Sequence, residues 1–434
     1  MKNREEDYSS VIMNCTTGIR HNPRDARSYY KRGLAYSHTR EYTKAIEDFS
    51  MVIQIDTKYT GVYTNRAVAY NHKGKYDLAI QDCTEAIRLD PRDIVAYTNR
   101  GVAYAIMGKY DLAIRDFTKA LEFNPQYSFA YNNRGIAYNH KGNYEQAIWN
   151  YTTAIEHDPT YVAAYTNRGT TYNDIGEYAR AIKDFTEAIR LAPQDMMAYT
   201  NRAIAYNHTG EYTLAIKDFT QAIHLNPQYA QAYNNRGLVY NHQQEYDRAI
   251  KDFTKAITIN PTYVAAYTNR GAAYNNAGDY VQALKDCTTA INLDSRYAPA
   301  YATRASAYNN TNEYDQAITD CTEAVRLDPQ YGPAYTTRGI AYANIDQHDR
   351  ALTDYHKALG LDPKDVRAYY NRGKAYYQQG GYDMAIQDFT IAINLDPTDA
   401  RVYYSRGDAY NHRGNTQEAN ADFVIAKRLK AKSR

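Results

Sequence analysis

The chain has 434 residues, a formal net charge of +2 and a pI near 8.1. Such a balance argues against nucleic acid as a partner, because nucleic-acid binding usually leaves a clustered basic footprint. A mean hydropathy of −0.73, with no long apolar run, leaves no candidate for a membrane-spanning helix. Met1–Asp7 carries no apolar core of a secretory signal. A cytoplasmic protein with no membrane partner is therefore expected.

Residues 1–25 read as half a unit: Tyr8, Val11, Ile12, Cys15, Ile19 and Pro23 match the second half of segments further on. Either the chain begins with a lone helix or the sequence is a trimmed piece of something longer. From Ala26 to Ser433 run twelve units of 34 residues without insertion or deletion. The fragment Ala96-Tyr97-Thr98-Asn99-Arg100-Gly101 returns as Ala130-Tyr131-Asn132-Asn133-Arg134-Gly135 and again from Ala164. A fixed period of this length marks a repeat array, in which each unit touches only its neighbours.

Each unit carries two amphipathic helical patterns. In the unit 94–127 the first helix is predicted over Val95–Ile106, with Tyr97, Gly101 and Tyr104 at 3–4 spacing. Gly108 stops it, as glycine does at a left-handed position. Tyr110, Ala113, Ile114, Phe117, Ala120 and Leu121 mark the second helix. Asn124-Pro125 ends it, since the residue before proline disfavours the helical region. Gly101 and Ala113 allow a close helix contact, and Tyr97, Tyr104 and Phe117 fill the space around it. The tyrosines are read as core, with hydroxyls that need partners at the rim.

Tyr97, Gly101, Tyr104, Ala113, Phe117 and Pro125 fill the slots of the tetratricopeptide repeat pattern, and the chain resembles that family over nearly its whole length. The resemblance implies an all-α fold: one continuous α-solenoid, a right-handed superhelix of twelve repeats over 26–433 preceded by the half repeat. Departures are local. Thr57 and Ser295 replace the closing proline; Arg40, Gln244, Asn312 and Asp346 replace the turn glycine; His348 and Thr416 replace the leading tyrosine of the second helix. Looser joints are expected there.

One departure is systematic. The slot before the glycine, commonly leucine in the family, is arginine in all twelve units from Arg32 to Arg406. The residue before the second-helix aromatic is aspartate from Asp48 to Asp422, except at Asn150. Fixed opposite charges in every copy predict a ladder of Arg–Asp pairs between the two helix layers. The planar guanidinium suits a carboxylate with two donors.

Cysteines share the aromatic slot: Cys83, Cys287 and Cys321 stand where Phe49 and Phe117 stand elsewhere, and Cys15 has the same place in the half unit. They are read as small apolar fillers. Metal binding would require clustered spacings such as CxxC, and adjacent helices hold such residues beyond disulfide reach. His38, His72, His140, His208, His242 and His412 share a slot near the end of the first helix, where imidazole meets the last carbonyls and the helix dipole. No glycine-rich phosphate loop, GxSxG or HExxH occurs. No enzyme, cofactor or metal site is expected.

The resemblance places first helices on the concave face. Helical spacing puts Thr98, Asn99, Val102, Ala105 and Ile106 on one stripe, and Asn132, Asn133, Ile136, Asn139 and His140 on the next. One slot repeats: Asn65, Asn99, Asn133, Asn167, Asn201, Asn235 and Asn269. A carboxamide offers both donor and acceptor to a peptide backbone, and asparagine is a poor helix former whose recurrence needs a reason. The row is similar to the asparagine ladder of the O-linked N-acetylglucosamine transferases. A carboxylate clamp like that of chaperone adaptors is not supported, because its lysine, second asparagine and arginine slots hold Tyr30, Leu34, Val95 and Asn99. Past residue 298 the lining changes, with Thr303 and Thr337 in the asparagine slot and Pro299 and Pro333 in the first turn. The main groove is placed at about 60–297.

The expected function is a non-catalytic protein–protein interaction scaffold that holds an extended peptide or protein segment in this groove. The alternative is a structural protein that associates end to end into oligomers or filaments. Solenoids normally carry polar caps, whereas this chain finishes on Phe423, Val424 and Ile425 and the basic run Lys427–Arg434. An RNA reader is a more distant reading.

Overall fold

The first helix of each unit is followed by a left-handed residue; the second starts at once and ends on an extended one, as at Asp90 and Asn124. This punctuation gives hairpins. The computed structural model describes residues 2–432, in which there are 25 α-helices and no strand. Met1, Ser433 and Arg434, the ends of the expected half repeat and basic tail, lie outside the described residues. The chain divides into two compact units, Met1–Leu214 and Ala215–Arg434. Each is a run of helical hairpins: from Lys2–His21 to Met196–His208, and from Ala230–His242 to Thr416–Lys432, each helix packs on the next in sequence and successive first helices also touch.

In the hairpin of the unit 94–127 the helices are Ile94–Ile106 and Tyr110–Phe123. Gly108 turns the chain at φ +73. Arg40, Gln244, Asn312 and Asp346 take the same turn at φ +62, +61, +64 and +59, a conformation that side chains other than glycine enter with strain. The turns at Thr57 and Ser295 also persist: Tyr63 and Tyr301 donate their hydroxyls to the carbonyls of those residues at 3.2 Å, as Tyr165 does to Pro159. His348 and Thr416 still open helices, His348–Leu361 and Thr416–Lys432.

The core of a hairpin is a small residue against a large one. Phe117 and Ala113 are fully buried, and a Cβ built on Gly101 would lie 2.8 Å from Cε1 of Phe117. Where the partner is Cys83 or Cys321, the first helix carries Ala67 or Ala305 in place of glycine, all four fully buried. The four cysteines are buried and unbridged, and burial pushes the Cys287 thiol up to about 12. They are packing atoms.

Polar bonds tie the layers. In ten hairpins, from Arg32–Asp48 to Arg406–Asp422, Nε and Nη2 of the arginine donate to the two oxygens of one carboxylate. The distances are 2.6–2.9 Å. Aspartate side chains on these rungs are 1–9% exposed and arginines 12–18%. A feature that the spacing alone did not reveal is a third bond. Nη1 donates to a threonine or serine hydroxyl on the second helix of the preceding hairpin, as in Arg66–Ser50 at 2.9 Å, Arg168–Thr152 at 2.9 Å and Arg270–Thr254 at 3.0 Å. One guanidinium thus closes its own hairpin and fastens it to the one before.

Two measurements check this account. Phe117→Ala should cost about 3–5 kcal/mol of local stability, and Phe117→Cys less when joined to Gly101→Ala, the combination found at 67 and 83; hydrogen exchange over 94–137 reads both, and a double variant no better than Phe117→Cys alone contradicts the small-against-large rule. Arg168→Met strands the buried Asp184 and should destabilise by up to about 3–5 kcal/mol, with much of the loss recovered by adding Asp184→Leu. Unchanged melting of Arg168→Met would show that the rung contributes nothing.

Candidate functional site

With the arginine slot turned to the second helices, the residue before it lies on a stripe that faces open space on the first helices. In Ile94–Ile106 this stripe is Val95, Asn99, Val102 and Ile106, with Val95 48% and Ile106 56% exposed. In Ser128–His140 it is Phe129, Asn133, Ile136 and His140, with Phe129 41% exposed. Met197 takes the Val95 position in Met196–His208 and is 44% exposed. A carboxamide flanked by apolar side chains therefore recurs along the first helices of the unit 1–214.

Thr98 and Asn132, assigned to the stripe from helical spacing, do not belong to it. They are 1% and 3% exposed. Thr98 donates to the Ile94 carbonyl, and Asn132 Oδ1 accepts from Asn167 of the next hairpin. The neighbouring first helix covers that flank, a contact that spacing within one helix does not reveal.

The seven asparagines are all half-buried, with differing engagements. Asn99 and Asn133 donate from Nδ2 only to carbonyls of their own helices, Val95 and Phe129, at 2.8 Å. Asn65 donates to the Gly61 carbonyl at 2.7 Å and the Tyr30 hydroxyl at 3.0 Å. Asn167 and Asn201 reach back one hairpin, to Asn132 Oδ1 at 2.9 Å and Thr170 Oγ1 at 3.3 Å. In the unit 215–434, Asn269 donates to Asn234 Oδ1 at 2.9 Å, and Asn235 Oδ1 accepts from Asn234 at 3.2 Å. Donors are thus partly occupied within the protein. An amide has two N–H groups and an oxygen with two lone pairs, so acceptor capacity is what the row mainly retains.

A second asparagine slot, six residues on, holds the first in register. Asn71 donates to the backbone carbonyl of Asn99 at 3.0 Å, Asn173 to that of Asn201 at 3.1 Å, and Asn309 to that of Thr337 at 2.9 Å. The recurrence of this slot in the sequence was the available signal. Beyond it the row closes: Thr337 is 3% exposed, Thr303 donates to the Pro299 carbonyl, and prolines occupy the first turns.

The histidine slot is accounted for by packing between hairpins. His72 stacks on Tyr42 at 4.5 Å between ring centroids, His140 on Tyr110 at 5.1 Å and His208 on Tyr178 at 4.6 Å, with planes within 8° of parallel. Among the described residues no three His, Cys, Asp or Glu side chains are grouped to hold a metal ion, and no helix is long and apolar enough to cross a membrane.

Stacked helical hairpins of constant length, with a repeated side-chain row on the first helices, define a helical-repeat protein. Family profiles described as Tetratricopeptide repeat match residues 62–93, 94–127, 128–161, 162–195, 197–229, 230–263 and 264–297, and also 26–59 and 298–331. A profile described as TPR repeat matches 345–380 and 373–414. The chain belongs to the tetratricopeptide repeat family, whose members generally act as non-catalytic protein-interaction scaffolds. Among solved structures it is similar to the APC/C hetero-tetramer Cut9–Hcn1, with 13% identity over 94% of each chain and a TM-score of 0.51. It is also similar to yeast Tom70, with 16% identity over 93% of this chain and 99% of that one and a TM-score of 0.50. At these identities the likeness is one of fold. A search among curated proteins finds no match.

Proposed function

We propose that the chain is a binding scaffold whose first-helix face holds an extended peptide or protein segment. One observation carries this reading. Asn99 and Asn133 stand between exposed apolar side chains and spend a donor only on their own helices. An Oδ1 row accepts N–H groups from a peptide backbone without reading its side chains, and the apolar flanks take side chains from that segment. The positions bordering the row from Gly61 to His140 carry no formal charge, which favours an uncharged, apolar-rich segment over an acidic one. In this reading Asn65, Asn99, Asn133, Asn167 and Asn201 serve the face of the unit 1–214, and Asn235 and Asn269 that of the unit 215–434. The scaffold acts without catalysis and in the cytoplasm.

Asn99 and Asn133 are the residues to change, because their bonds support no neighbouring hairpin. The variant Asn99→Ala/Asn133→Ala should keep its helicity and melting temperature. It should lose about tenfold in affinity for extended apolar-rich peptides, as expected for two hydrogen bonds of about 0.5–1.5 kcal/mol each. Fluorescence anisotropy with such peptides, and with backbone N-methylated copies that lack the donors, measures this. Equal binding by parent and variant, or by methylated and plain peptides, removes the asparagines from the site.

A further inference from the structure

The arginine ladder has one altered rung, and its neighbourhood has changed with it. Arg134 faces Asn150 instead of aspartate: Nε donates to Asn150 Oδ1 at 2.8 Å and Nη1 to Thr118 Oγ1 at 3.0 Å. Asn150 is fully buried and spends its own amide on the Gln146 carbonyl. On ten other rungs Nη2 meets the second carboxylate oxygen; here it has no such partner. The guanidinium lies 5.3 Å from the ring centroid of Tyr131 and 5.8 Å from that of Trp149. Trp149, the only tryptophan of the chain, is 52% exposed in a slot that is polar or alanine in every full unit besides its own. One hairpin on, the equivalent place is a surface cavity of about 420 Å³ lined by Tyr165, Arg168, Lys183, Asp184, Thr186 and Glu187. At the Arg134 station the counterparts of Asp184 and Glu187 are Asn150 and Thr153, so two carboxylates are missing from its walls.

We propose that this station is a binding site for a carboxylate group supplied from outside the chain, taken by Nη2 of Arg134 between the rings of Tyr131 and Trp149. The incoming oxygen gives Nη2 the second acceptor that aspartate gives it on the other rungs. Charge supports the geometry. Burial pushes the Arg134 guanidinium down with only tyrosines opposing it, whereas in Arg168 the bond and charge of Asp184 overcome burial and raise it. A cation partly withdrawn from water without a counter-charge favours an anionic ligand, and flanking aromatic rings suit a planar one. The site is separate from the asparagine row, since Trp149 lies on a second helix.

Trp149 is also the probe. Its fluorescence should respond saturably to sodium acetate, and not to sodium chloride at equal ionic strength. A glutamate-containing tripeptide amide tested alongside separates a free carboxylate from a peptide-borne one: tighter peptide binding assigns the site to a protein partner, and equal or tighter acetate binding to a free acid. Asn150→Asp, which restores the internal carboxylate, should remove the response while raising the melting temperature. Asn150→Leu should keep the response if it folds. The proposal is overturned if acetate and chloride act alike, or if Asn150→Asp responds as the parent does.

Discussion

The constraint on which the array depends is the way each guanidinium divides its donors. Two go to a carboxylate sixteen residues ahead and one to a hydroxyl sixteen residues behind, as Arg168 does with Asp184 and Thr152. One bond set closes a hairpin and the other fixes its neighbour, so the spacing within a unit and between units is set by one side chain. Desolvating two charges offsets much of their attraction, so the rung contributes more to register than to net stability. The planar fork also lies near tyrosine faces, as Arg100 does at 5.7 Å from the Tyr97 centroid, which orients it at both ends. Position 356 breaks the pattern. A histidine stands where the hydroxyl belongs, it bonds the Leu352 carbonyl, and Arg372 keeps only its carboxylate.

Register on the second-helix side determines what the first helices can present. A side-chain row can grip a regular backbone only if its members keep a constant interval. Asn71, Asn173 and Asn309 tie one first helix to the slot residue of the next, while stacked pairs such as Tyr178 and His208 lock the hairpin edges. The exposed stripe is therefore held by polar bonds behind it. Both asparagine slots bond the scaffold in part: the second ties successive first helices, and the first, half-buried, reaches the preceding hairpin at Asn65, Asn167, Asn201 and Asn269 while Asn99 and Asn133 bond only their own helices.

Much of this was legible in the residues. The period, the Gly108 stop and the Asn124-Pro125 stop specify hairpins because glycine and proline act locally on φ. The Arg–Asp rung was legible because opposite charges recurred together in every full copy but that of Asn150. The Nη1–hydroxyl bond was not, since threonine is common on helix surfaces and its recurrence does not name a partner in the next hairpin. Nor was the burial of Thr98 and Asn132, which depends on a neighbouring helix that a single-helix projection omits. The donor direction of the asparagines was open for the same reason: a carboxamide has two ends, and only the surroundings decide which one is spent.

A repeated chain also contains its own comparisons, and substitutions that look neutral singly acquire meaning in pairs. Alanine at 67 and 305 faces cysteine at 83 and 321, but Ala203 faces Phe219 and Gly271 faces Cys287, so the first-helix slot accepts either small residue. Tyr151 replaces phenylalanine where Thr171 replaces the alanine or valine of other first helices, whereas Tyr355 keeps Ala375. Asn150 and Trp149 adjoin Tyr151 on the same turns. Of these changes, Thr171 is satisfied inside the protein, by Asn139 Oδ1 and the Asn167 carbonyl. Asn150 does not compensate Arg134, since an amide oxygen neutralises no charge and leaves Nη2 without its usual acceptor. Internal bonds account for Thr171, and what Asn150 leaves over is a guanidinium beside an exposed indole, open to a carboxylate that the chain does not supply.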